Sequence, residues 1–180
     1  MAKVVVIFHS GYGHTQRLAQ SVAAGANAEL IAIDADGNVP DAAWDTLAAA
    51  DAIIFGSPTY MGMASWQFKK FADASSKPWY TQAWKDKIFG GFTASANING
   101  DKASTLNYFM TLTMQHGGIW AGNGLPFHNT KAAQRSDVNY LASNGGVMAQ
   151  TPGDAGADEM NPGDLEAGRL YGERIAKLAA

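Results

Sequence analysis

The stretch Val4-Val5-Val6-Ile7-Phe8-His9-Ser10-Gly11-Tyr12-Gly13-His14-Thr15 constrains this chain more than any other: an apolar run empties into a hydroxyl-and-glycine turn that a helical pattern follows. An apolar run of that length bounded by a turn reads as a buried strand. The turn then delivers the chain to a helix N-terminus, where unpaired backbone N–H groups and the positive end of the helix dipole favour an anion. Gly11 and Gly13 let the backbone close around such an anion with no Cβ in the way. The competing reading is an ordinary strand-turn-helix connection in which Ser10 only caps the helix.

Three nucleotide motifs begin this way, and two are excluded by the residues. A Walker loop needs Gly-Lys-Ser/Thr, and no Lys follows Gly13. A dinucleotide fingerprint needs a third glycine where Gln16 stands, and no acidic residue closes a second strand in the place a ribose requires. Ser10-x-x-Gly13-x-Thr15 remains, with hydroxyls at both ends and no cation. Such a set suits one terminal phosphate monoester better than a polyphosphate with magnesium.

With 180 residues, 47% of them hydrophobic, the chain has the means for one domain with a single core. A formal charge of −3 argues against nucleic acid, which requires clustered Lys and Arg, and it is milder than the field of a dedicated carrier docking on basic redox proteins. The absence of cysteine removes disulfides, thiolate nucleophiles, cysteine-ligated iron–sulfur clusters and c-type haem, so redox chemistry would need a non-sulfur cofactor. No His and carboxylate share helical metal spacing, and no metal site is expected. Neither an export signal nor a run of membrane-spanning length is found, so a cytoplasmic protein with no membrane partner is expected.

Along the chain, helices are expected at His14 to Ala24 (closed by Gly25), Asp41 to Ala50, Ser65 to Ala74, Asp101 to Gln115 and Asp164 to Leu178, and strands at Lys3 to Phe8, Ala28 to Ile33, Ala52 to Phe55, Lys87 to Phe92 and Gly118 to Ala121. Gly56-Ser57-Pro58-Thr59-Tyr60 reads as a break into a second loop. The alternation gives an α/β fold: a doubly wound five-stranded parallel sheet, order 2-1-3-4-5, helices on both faces. Ligands on such sheets bind at the carboxyl ends of the strands, and loops 10 to 15, 56 to 62 and 93 to 100 leave adjacent strands at the switch point. Three polar loops therefore converge on one crevice.

Together these loops resemble the flavodoxin-like proteins, and within them the FMN-dependent NAD(P)H:quinone oxidoreductases of the tryptophan-repressor-binding branch. The likeness is tightest at Ala50-Asp51-Ala52-Ile53-Ile54-Phe55-Gly56-Ser57-Pro58-Thr59 and at Gln115-His116-Gly117. The resemblance implies that Ser10, Gly11, Tyr12, Gly13, His14 and Thr15 hold the FMN phosphate. It implies that Pro58, Thr59, Tyr60, Met61 and Gly62 hold the ribityl chain and one ring edge, and that Thr93, Ala94, Ser95, Ala96, Asn97 and Gly100 meet the pyrimidine edge. Trp79 matches a tryptophan at the rim of the flavin cavity, and His116 a histidine on the flavin's substrate side. The family's Arg-Phe after Pro-Thr is replaced here by Tyr60-Met61, and the third loop is poorer in glycine.

Each of these residues also has a plainer role. Tyr60 either stacks on a flavin or covers core. Trp79 either borders the cavity or anchors a loop. Met61 and Met63 suit flexible filling. His116 either stabilises charge on the ring and protonates a departing quinol, or sits at a helix C-terminus where the dipole suits it. A phosphoacceptor receiver domain shares the topology, but its metal-holding acids are replaced by Ser10 and Ser57. The expected activity is electron transfer from NADH or NADPH through FMN to a quinone or similar small-molecule acceptor. Members of the branch associate as dimers of dimers, so a homodimer or homotetramer is expected, with Trp79, Tyr80 and Trp84 as candidate contacts. A flavodoxin-type single-electron carrier and a non-catalytic FMN-binding adaptor are the alternatives.

Overall fold

The computed structural model describes residues 2–180. Strand β1 (Val4–His9) is buried at every position, and its side chains alternate between two cores. Val4, Val6 and Phe8 pack with Leu18, Val22, Tyr171 and Ile175 on one face, while Val5 and Ile7 pack with Phe55, Phe68, Trp84 and Phe109 on the other. Burial on both faces is what a parallel strand flanked by two helical layers requires.

The remaining elements are α1 (His14–Ala26), β2 (Glu29–Ile33), α2 (Ala42–Ala48), β3 (Ala52–Tyr60), β4 (Met63–Ala64), α3 (Trp66–Ala74), α4 (Ser76–Tyr80), β5 (Ile88–Ser95), α5 (Lys102–Gln115), β6 (Ile119–Trp120), β7 (Val147–Gln150) and α6 (Pro162–Leu178). The main path of the sheet runs β2-β1-β3-β5-β6, which keeps the doubly wound order with the reversal between β1 and β3. Among the described residues the sheet has seven strands, though, not five. β4 folds back antiparallel on β3, and the position beyond β5 is shared by two short strands. Ile119 and Trp120 pair with the start of β5, whereas Val147 to Gln150 pair with Phe92 to Ser95 at its end. The segment between them leaves the sheet and returns.

Two punctuation readings are corrected. Gly56 to Tyr60 continue β3, because Ser57 and Pro58 pair with Thr93 and Ala94. The β1 ladder ends at Gly56, so the missing amide of Pro58 falls where the strand has already lost one neighbour. Gly25 lies inside α1, which ends at Asn27 in the left-handed conformation. Glycine is required at position 25 because a Cβ would overlap the carbonyl oxygen of Arg169 on α6. No helix among the described residues is long and apolar enough to cross a membrane.

Candidate functional site

β1, β3, β5 and β7 all release their chains at one edge of the sheet, and the loops that follow enclose a cavity of about 220 Å3 open to solvent. Tyr12 comes from the first loop and His14 and Thr15 from the first turn of α1; Pro58, Thr59 and Tyr60 are the last residues of β3, Ala94 and Ser95 the last of β5, and Ala96 opens the third loop. Thr151 and Gly153, which follow β7, form a fourth wall that was not foreseen in the sequence.

The first loop has the geometry of an anion cradle. Gly13 adopts φ 92°, and its carbonyl accepts the first helical hydrogen bond, from Arg17 N at 2.9 Å. The amides of His14 and Thr15 precede that ladder and need an acceptor from outside the helix. The N-cap of α1 is Gly13, not Ser10, but Ser10 Oγ accepts from Gly13 N and Gln16 N, both at 3.1 Å, so the hydroxyl satisfies one first-turn amide, shapes the turn and keeps its own proton to donate. Tyr60 leans over this loop. A Cβ on Gly11 would stand 2.5 Å from its hydroxyl, and its ring meets Tyr12 edge to face at 6.2 Å. Burial, and next the neighbouring Tyr12, push the Tyr60 phenol up.

Behind the wall, hydroxyls lock the loops together. Thr59 Oγ1 lies 2.8 Å from Thr93 Oγ1 and 2.7 Å from Thr105 Oγ1, tying β3 to β5 and α5. Gln150 donates to Ala96 O at 2.8 Å, and His14 Nε2 donates to Ala155 O at 2.9 Å, drawing the fourth loop against the third and first. Thr151, 3% exposed, carries a buried hydroxyl oxygen with no partner at the cavity wall. Buried polar atoms without partners are uncommon, and this one fits a polar ligand in the cavity.

Not every expected residue lines this cavity. Ser10, Gly11 and Gly13 belong to the turn but not to the lining, Thr93 faces the Thr59 hydroxyl, and Asn97 and Gly100 lie further along the third loop. Met61 and Gly62 form a left-handed turn, φ 48° and 81°, and Met61 lines a neighbouring groove of about 600 Å3 with Tyr60, Met63, Trp66, Lys69 and Lys70.

Trp79 and His116 are brought nowhere near the cavity. α3 and α5 both start at the carboxyl edge and run back across the sheet; α5, 14 residues long, covers about 20 Å. Trp79, 42% exposed, sits on α4 beyond the end of α3, and His116 follows α5 beside the start of β5. His116 is 2% exposed, its ring 4.3 Å from that of Trp84. Ser75 Oγ gives its proton to Ala72 O at 2.7 Å, so His116 Nε2 must donate to Ser75 Oγ at 2.9 Å. That assigns the tautomer and leaves Nδ1 a bare, buried acceptor. Burial pulls the histidine down to about 4, which keeps the ring neutral at pH 7. Trp84 is fully buried too and cannot be a contact between subunits.

A pH prediction follows from His116. Its folded value lies below the unfolded one, so the stabilisation of the neutral ring is complete above about pH 6.5 and is lost as pH falls toward 4. A loss of about 2 kcal/mol over that window is expected. His116→Phe flattens that part of the curve in urea melts at pH 7, 5.5 and 4; an unchanged acid limb rejects the assignment.

Among the described residues, no group of three or more His, Asp or Glu is placed to hold a metal ion. The cavity offers a helix-start cradle, neutral hydroxyls and the two aromatic rings of Tyr12 and Tyr60, a set that suits a phosphorylated ring system.

Residues 2–130 match the family described as NADPH-dependent FMN reductase. The chain belongs to that family. It is 53% identical, over 99% of this chain and 97% of the relative, to flavodoxin FldP of Pseudomonas aeruginosa. Among solved structures, a flavodoxin, WrbA-like protein from Agrobacterium tumefaciens superposes with a TM-score of 0.81 at 52% identity, covering 99% of this chain and 98% of that one. The Trp repressor binding protein of Bacillus subtilis shares the fold, with a TM-score of 0.61 at 18% identity over 98% of both chains. The chain is thus a flavodoxin-like member of an FMN family, near the tryptophan-repressor-binding branch.

Proposed function

We propose that the protein binds FMN in the four-loop cavity and passes electrons from NADH or NADPH to a quinone or similar small acceptor. The observation that carries this reading is the pairing of the α1 cradle with the partnerless Thr151 hydroxyl across one cavity. The amides of His14 and Thr15 and the Ser10 hydroxyl would hold the phosphate, Thr59 and Thr151 the polyol, and Tyr60 one ring face. When bound, FMN supplies the two-electron chemistry; the chain positions it and leaves one face open, since the third loop contains no aromatic residue. The adjoining groove with Trp66, Lys69 and Lys70 gives a second substrate an approach past Tyr60. His116 takes no part, because neither a proton nor a charge on the buried imidazole reaches the cavity.

A one-electron carrier is the second reading, favoured by the 53% identical relative named a flavodoxin. Anaerobic mixing of the FMN-loaded protein with NADH and with NADPH separates the two. Rapid bleaching of the yellow flavin is expected with at least one of them; flavin that stays oxidised with both leaves the carrier. A homodimer or homotetramer belongs to the same proposal, with exposed Trp79 and Tyr80 as contacts, and sedimentation reads it directly.

A further inference from the structure

Lys102 is 0% exposed at the first turn of α5, a place where a lysine side chain ordinarily reaches water. Its ammonium instead donates to Ser95 Oγ at 2.9 Å at the end of β5, and to Asn97 O at 2.6 Å and Ile98 O at 2.8 Å in the third loop. None of these acceptors is charged. The nearby Asp164, 1% exposed, is already engaged by Arg135 through both carboxylate oxygens, at 2.8 and 2.5 Å, and by Gln150 N at 2.9 Å. One positive charge is therefore left over behind the third loop. Burial, and to a lesser degree Arg135, pull the lysine down to about 8 while Asp164 opposes them, so it remains mostly protonated at pH 7.

The capture also orients the loop. A peptide unit is planar and its C=O and N–H point in opposite directions. With the carbonyls of Asn97 and Ile98 turned in to the ammonium, the amides of Ile98 and Asn99 turn out, on the exposed face of the loop. Gly100, at φ 52°, closes the turn where a Cβ would collide with Ser95 Oγ.

We propose that Lys102 is a positioning residue for the flavin: it aims the third-loop amides at the pyrimidine edge and fixes a positive charge behind that edge, favouring the reduced ring. This rests on the reading that the cavity takes FMN with its pyrimidine edge at the third loop. A ring that gains negative charge on reduction is held more tightly near a fixed cation in a region of reduced dielectric.

Lys102→Met removes both functions, and Lys102→Gln keeps one donor to a carbonyl while removing the charge. Two quantities are read for each: the FMN dissociation constant, from quenching of flavin fluorescence, and the midpoint potential of bound FMN, from equilibrium reduction against a reference dye. Lys102→Met is expected to weaken FMN at least tenfold. Both variants are expected to lower the potential by about 30 mV, the two-electron equivalent of a tenfold weaker relative hold on the reduced ring. If Lys102→Met does not fold, Lys102→Gln alone carries the result. A potential equal to wild type in the folded variant overturns the inference, since a merely structural lysine weakens oxidised and reduced flavin alike. Wild-type protein that takes up no FMN overturns instead the reading on which it rests.

Discussion

Gly172→Ala is expected to cost about 3–5 kcal/mol of folding stability, enough to unfold much of a protein whose margin is of the usual size. α1 and α6 cross with backbones nearly touching. A Cβ on Gly172 would overlap the carbonyl oxygen of Val22 and stand 2.9 Å from Ala26 N, and Gly168 meets Leu18 and Val22 in the same seam. Backbone atoms cannot rotate away as a side chain does, so the helices must separate. Separation reaches the sheet, because Tyr171 on α6 donates to Ala121 O at 2.6 Å and accepts from Gly91 N at 3.1 Å. Urea unfolding measures the loss, with Gly153→Ala as control, since nothing lies within 4 Å of a Cβ there. Equal midpoints for the two variants would show that the seam yields.

The parts of the site legible in the sequence were those announced by local physics. An unbroken apolar run means a strand buried on both faces, glycines after it mean a turn that needs them, and alternation of strand and helix fixes which ends of the strands face the ligand. The residues misplaced, Trp79 and His116, both follow helices that carry the chain back across the sheet. Resemblance to a family matched their types without weighing the rise of the helix between them and the cavity. The fourth wall escaped because β7 has four residues and a long irregular segment separates it from β6, the strand that shares its place beside β5, so no periodic pattern marks it. One local sign was present: Val147-Met148-Ala149-Gln150 running into Thr151-Pro152-Gly153, a short apolar stretch entering a turn as β1 does. Lys102 gave no sign at all, because a lysine in a first helical turn ordinarily reads as solvated.

Gly13→Val is expected to weaken FMN by about a hundredfold while leaving the binding of riboflavin, which lacks the phosphate, within a few-fold of wild type. Space is not the issue, for the nearest atom to a Cβ at Gly13 is Ala157 Cβ at 3.5 Å. The cost lies in φ 92°, which a β-branched residue avoids by roughly 2–3 kcal/mol. The chain relieves that strain by moving residue 13, whose amide is held by Ser10 and whose carbonyl starts the α1 ladder through Arg17. Both shifts turn the amides of His14 and Thr15 off their common target. Calorimetric titration of the variant with each flavin reads the difference. Parallel losses for FMN and riboflavin would place the damage in the ring pocket and take the phosphate away from the start of α1; loss confined to FMN ties the cradle to the charged tail.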